Sequence, residues 1–167
     1  YKITPNDSTK DYTLMLQANG ETSYFNIDIE GNETTHLIQG LIAREEYILR
    51  ETQAPNGYAT APEQKFVAGE EEDISLMMID EDTKVEISKQ DITTQKELEG
   101  AHLQVKDVNG NIVDEWVSGK EPHIIKNLTV GKTYTLIETI APEGYKIAQS
   151  IQFTIEDTGE VQKIIMY

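Results

Sequence analysis

The chain has 167 residues, 30 acidic against 14 basic side chains, a net charge of −16 and no cysteine. That charge argues against nucleic-acid binding, which needs clustered Lys and Arg on the phosphates, and without cysteine no disulfide can stiffen the fold. No stretch approaches the roughly 18 apolar residues of a membrane helix. No signal peptide opens the chain and Tyr1 is not a natural start, so the chain is expected to be a piece of something longer.

In chain order the segments read as short strands. Tyr12, Leu14, Leu16 and Ala18 alternate with Thr13, Met15 and Gln17, the period of two that marks a half-buried strand. Asn19-Gly20 is a tight-turn pair, and Phe25, Ile27 and Ile29 form the apolar face of the next strand. His36-Leu37-Ile38, Tyr47 to Glu51, Lys65-Phe66-Val67 and Ile74 to Asp80 follow, with the acidic run Glu70-Glu71-Glu72-Asp73 as a loop. Val85 to Lys89, Leu103 to Lys106, Ile112 to Val117 around a core Trp116, His123 to Ile125, Tyr134 to Ile137, Ile151 to Ile155 and Val161 to Tyr167 repeat the pattern. Short strands at this spacing, with Gly and Pro turns and no sustained 3.6 period, predict an all-β sandwich.

One phrase occurs twice. Glu51-Thr52-Gln53-Ala54-Pro55-Asn56-Gly57-Tyr58 returns 87 residues later as Glu138-Thr139-Ile140-Ala141-Pro142-Glu143-Gly144-Tyr145, each after a strand-like run. A period of half the chain length predicts two copies of one domain, 1–82 and 83–167. The join at Glu81-Asp82-Thr83 is too short for free tumbling, so a stiff tandem array is expected. Domains of roughly 80 residues have small cores and are often stapled.

The chemistry is carried by ionisable residues on apolar faces. Lys89 shares strand parity with Val85 and Ile87, Glu138 with Tyr134 and Leu136, Glu51 with Tyr47 and Leu49, and Asp80 with Ile74, Leu76 and Met78. Lys2 precedes Glu51 by the same 49 residues that separate Lys89 from Glu138. Buried ionisable groups are costly unless they satisfy one another. Burial favours the neutral amine, a nucleophile, and the neutral carboxyl, an electrophile. Held together in a dry site, Lys and Asp can condense to an amide with loss of one water, while Glu shuttles protons.

The phrase E-T-x-A-P-x-G-Y after Y-x-L-x, with I-S-K-x-D on a first strand, resembles the B-type repeat of the collagen adhesin Cna, also known as the SpaA-type pilin domain of Gram-positive surface proteins. The resemblance covers nearly all of residues 84–167, is good over 33–82 and is loose over 1–32. It implies an immunoglobulin-like, or prealbumin-like, sandwich in each half. It also implies an autocatalytic isopeptide bond between a first-strand Lys and a last-strand Asp or Asn, assisted by a buried Glu. Glu51 and Glu138 take the catalytic role, Lys2, Asp80 and Lys89 the crosslink roles. Met166-Tyr167 ends the second copy one residue before its expected acceptor. By analogy with a disulfide, a loop as long as Lys2 to Asp80 would add roughly 4–5 kcal/mol of stability.

The expected role is a stalk or shaft module of a cell-surface adhesin or pilin, extracellular and wall-anchored through other parts of the protein, with neighbouring repeats as partners. It is not a turnover enzyme and needs no cofactor or metal. Two other roles stay open: an adhesin module binding host matrix or glycan, and a split domain whose Lys89 ligates a separate acceptor strand. Plainer readings also stand beside each residue. Lys89 is then a snorkelling lysine, Lys2 a loose terminal residue with Lys10 as fallback, and Glu51 and Glu138 caps for turn amides. Asp80 is then part of an acidic linker or a weak calcium site. His36, His102 and His123 lack metal-site spacing and read as strand histidines.

Overall fold

The structure is a computed structural model that describes residues 2–5, 12–18, 24–29, 36–70 and 73–167. The turn pairs Asn19-Gly20 and Gly31-Asn32, Lys10 and Glu71-Glu72 of the acidic run lie outside the described residues. Sixteen strands follow one another and no helix occurs among the described residues. The chain divides into two compact units, residues 1–81 and 82–167.

In the second unit β10 (Lys84–Lys89), β13 (His123–Lys126) and β16 (Val161–Met166) form one sheet, with β10 in the middle. The other sheet is ordered β12 (Ile112–Val117), β11 (His102–Lys106), β14 (Thr133–Ile140), β15 (Ile151–Thr154). Alternate residues of both sheets enclose one core. Val85, Ile87, Ile125 and Met166 come from the first sheet, and Leu103, Val105, Tyr134, Leu136 and Phe153 from the second. Each fully buried aliphatic side chain contributes about 1.5–3 kcal/mol of burial, which makes this core the main source of stability. Trp116, expected inside, is only half-buried at the edge of the core, because β12 is an outer strand of its sheet. Its ring stacks on His123 at 4.1 Å, and His123 Nε2 lies 2.8 Å from Asp114 Oδ2.

The first unit has the same plan. β1 (Lys2–Pro5) runs between β4 (His36–Leu37) and β8 (Ser75–Met78). The opposing sheet is ordered β3 (Tyr24–Ile29), β2 (Tyr12–Ala18), β5 (Glu46–Gln53), β7 (Gln64–Val67). Leu16, Tyr47, Leu49, Ala61, Ala68 and Met78 form its core. Two short strands complete the order, β6 (Tyr58–Ala59) and β9 (Glu81–Asp82) at the boundary between the units.

Several contacts occur in both units. Tyr47 OH accepts the Ile42 N–H at 3.0 Å, and Tyr134 OH the Thr129 N–H at 3.1 Å. Tyr47 stacks on Phe66 and Tyr134 on Phe153. In each unit the first strand pairs with the last in parallel, β1 with β8 and β10 with β16. This pairing brings the chain's entry and exit strands of a unit side by side.

Candidate functional site

The site of the second unit lies between the two sheets. Lys89 ends β10, where it stands opposite Met166 of β16. Glu138 lies on β14 opposite Leu103, beside a register shift in β11 between His102 and Leu103. Such irregularities re-aim side chains next to functional groups. Leu14 stands opposite Glu51 beside the same irregularity in β2, so both units set their glutamate at a kink.

Lys89 Nζ approaches Glu138 Oε1 at 3.5 Å, with side-chain exposures of 3% and 0%. That argues against the snorkelling reading of Lys89, which needs the ammonium in water, since the side chain as a whole is 3% exposed. Glu138 Oε2 accepts the Ala148 N–H at 2.6 Å, whereas Oε1 is buried with no hydrogen-bond partner. At 3.5 Å the amine is outside the usual range for a good N–H···O bond. A buried acceptor left in that state costs roughly 1–3 kcal/mol. One carboxylate oxygen is therefore clamped, and the other faces the amine with unused capacity.

The clamp explains the repeated phrase. Pro142 O accepts the Tyr145 N–H at 3.0 Å, and Gly144 adopts φ 86°. The third position of this turn needs a positive φ, which glycine supplies without strain. The chain then doubles back and lays Ala148 over Glu138. The first unit is built alike: Pro55 O accepts the Tyr58 N–H, Gly57 has φ 89°, and Glu51 Oε2 accepts the Ala61 N–H at 2.7 Å. Each glutamate is thus bonded to an amide beyond the turn, ten residues on, not within it.

A second tie links the segment after β10 to the Ala-Pro turn. Tyr145 OH donates to Asp91 Oδ2 at 2.7 Å, and the backbone N–H groups of Thr93 and Thr94 donate to Asp91 Oδ1 at 2.8 Å each. The Thr94 N–H first, and then the tyrosine hydroxyl, hold the Asp91 carboxyl down to about 2. The same bond to Asp91 raises the Tyr145 phenol above its ordinary value. Ser88, next to Lys89, donates to Glu97, and Leu98 N–H donates to Lys89 O at 2.7 Å. Segment 91–100 is thereby folded against the end of β10. Tyr145 closes the repeated phrase and Asp91 closes the I-S-K-x-D motif, so the tie joins the two motifs of this unit.

In the first unit Glu51 is 8% exposed and Asp80 is half-buried, in phase with Leu76 and Met78. The register sets Lys2 at a different strand position from Lys89. Ile3 stands opposite His36 and Leu76, as Ile87 stands opposite His123 and Ile164. Pro5 stands opposite Met78, as Lys89 stands opposite Met166. Lys2 therefore occupies the place of Glu86, which in the second unit pairs with Lys163 at the surface. The equal 49-residue spacing misleads because the chain from Ile3 to His36 is three residues shorter than from Ile87 to His123. An odd shift also exchanges the faces of a strand. The side chains of Lys2 and His36 lie outside the described residues, and His102 is exposed on β11. No group of three or more His, Cys, Asp or Glu able to hold a metal occurs among the described residues.

Residues 83–166 match the family model for SpaA, described as a prealbumin-like fold domain. Among solved structures the chain is similar to the Bacillus anthracis TIE protein, with 26% identity and a TM-score of 0.53 over 98% of this chain. The chain spans 32% of that protein's length. It also aligns with the shaft pilin SpaA of Lactobacillus rhamnosus GG, at 13% identity and TM-score 0.43, over 99% of this chain and 94% of that one. The C-terminal fragment of the pilus adhesin SpaC from the same organism aligns at 18% identity and TM-score 0.42, over 95% and 82%. No curated protein matches the chain.

Proposed function

We propose that this chain, which belongs to the SpaA family of prealbumin-like fold domains, is a structural module of an extracellular bacterial surface protein, a stalk or pilus shaft, locked by an isopeptide bond at Lys89. The observation that carries the reading is the dry Lys89–Glu138 pair, with one carboxylate oxygen clamped and the other facing the amine. A solvated structural ion pair needs neither full burial nor an unused oxygen.

The chemistry follows from that geometry. A proton passing from Nζ to Oε1 leaves a free amine beside a neutral acid. The amine attacks the side-chain carbonyl carbon of an Asp or Asn that the last strand brings inward. The C–N bond forms, and the C–O bond of Asp or the C–N bond of Asn breaks. Glu138 gives its proton to the leaving group and takes up the one that the attacking nitrogen must lose, so water or ammonia departs and the amide keeps one N–H. By strand alternation a residue two past Met166 would share its face, so an acceptor is expected one residue past Tyr167, as Asp80 follows Met78. The excluded water and fixed approach replace a bimolecular collision with an intramolecular one. The bond forms once, which makes Glu138 an agent of maturation and not of turnover.

The test is a chain with an aspartate and a short polar tail appended after Tyr167, digested and mapped by tandem mass spectrometry. The expected product is a branched peptide joining Lys89 to the appended aspartate, absent when Glu138→Ala is introduced. Lys89 recovered only as a free amine in the folded, extended chain would remove the proposal.

A further inference from the structure

The two units do not carry the same site, and the difference lies in one strand. The first unit keeps a buried glutamate bonded to the amide ten residues on, at 2.7 Å, and it keeps a carboxylate two residues past the buried methionine of its last strand. What stands opposite that methionine on β1 is Pro5. The sequence supports the register independently. Ile3-Thr4-Pro5-Asn6-Asp7 aligns with Ile87-Ser88-Lys89-Gln90-Asp91, sharing the isoleucine, a hydroxyl residue and the aspartate that follows by two. Thr4 for Ser88 and Asn6 for Gln90 keep the chemical class, whereas Pro5 for Lys89 removes the nucleophile. Proline is also at home in this place. It closes β1, and β4 has already stopped pairing two residues earlier, at Ile3, so the missing N–H costs little of the ladder.

We infer that the first unit is the uncrosslinked member of the pair, because Pro5 occupies the position from which a lysine would reach Glu51 and Asp80. Lys2 does not substitute for it, being three residues away in register and at a position of opposite strand parity. Under tension the unit is held by its β1–β8 hydrogen bonds and its core alone, so it opens and recloses where the second unit is covalently closed. The inference rests on the isopeptide reading of Lys89 given above.

The experiment uses the whole chain with the aspartate appended after Tyr167, so that both units are read in one digest. The unmodified background is expected to give the Lys89 branched peptide and no peptide joining Lys2 to Asp80. Pro5→Lys is expected to lose one further water, with position 5 joined to Asp80, and to lose none when combined with Glu51→Ala. Lys2→Gln is expected to shift the mass only by the substitution and to leave the urea midpoint of the first unit unchanged.

A Lys2–Asp80 peptide in the background chain overturns the inference. So does a Pro5→Lys chain with native near-ultraviolet dichroism and no bond at position 5. If Pro5→Lys fails to fold, Lys2→Gln still decides: a fall in the midpoint with loss of a crosslink contradicts the inference, and no change supports it. A missing Lys89 branch in the same digest would instead remove the isopeptide reading itself, which separates the two failures.

Discussion

At the scale of single residues, the second unit depends on a pair that is expensive to separate. Replacing Lys89 with methionine keeps the bulk and removes the cation. Glu138 would then stay fully buried opposite nothing charged. Breaking a buried pair from one side costs about 3–5 kcal/mol, so Lys89→Met is expected to lower the urea midpoint of the second unit markedly. Lys89→Met combined with Glu138→Leu should recover most of that loss, because an apolar pair of similar size has no charge to desolvate. The Asp91–Tyr145 tie makes a pH prediction. Asp91 is lowered from 3.8 to about 2, so it contributes stability in full above its unfolded value and loses it progressively as pH falls from there through about 2. The Tyr145 phenol is raised above 10.0 and contributes stability below that value, lost as pH rises through its folded pKa. The tie is therefore expected to persist between these limits. An NMR titration of the Asp91 carboxyl should show no inflection near 4, and Tyr145→Phe should move the inflection upward.

At the scale of elements, strand parity is the feature that sequence carries best. A period of two sends Lys89 to the face of Val85 and Ile87, and Glu138 to the face of Tyr134 and Leu136, whatever their exact partners. Burial of those two side chains was legible for that reason. The amide that fixes Glu138 was not, since a backbone N–H leaves no mark on residue identity and Ala148 follows the glutamate only after a turn. The register of the first strand is not legible from the repeat spacing. The 87-residue offset of the repeated phrase holds from His36 through β7 and becomes 88 where Met78 matches Met166, but β1 is set against β4 and β8 by pairing and not by count. The shared Ile-x-x-x-Asp of the two first strands carried the correct offset. Because the returning segment acts through a backbone donor, Ala148→Pro is the informative change. It deletes the N–H that holds Oε2 and is expected to cost roughly 1–3 kcal/mol. Ala148→Gly keeps the donor and should retain the bond-forming activity that the proline variant loses.

At the scale of the whole molecule, each unit is closed by parallel first and last strands. Pulling the ends of a unit shears those two strands along their length, and all their hydrogen bonds resist together. With an isopeptide bond between the same strands, the load bypasses the rest of the unit. Single-molecule stretching of the chain with an appended acceptor is expected to show one unfolding step of about 25 nm, from the first unit at roughly 3.4 Å per residue. The second unit should add a step of the same size only when Lys89 is replaced. Two steps in the parent chain would mean that the second unit is not closed, and none would mean that both are.

The most direct test of the central claim is the intact mass of the denatured chain, with and without an aspartate appended after Tyr167. The account expects the 167-residue chain at its calculated mass, and the extended chain lighter than calculated by one water, with the deficit abolished by Glu138→Ala. An extended chain that folds and keeps its full mass would contradict the assignment of Lys89 and Glu138 to bond formation.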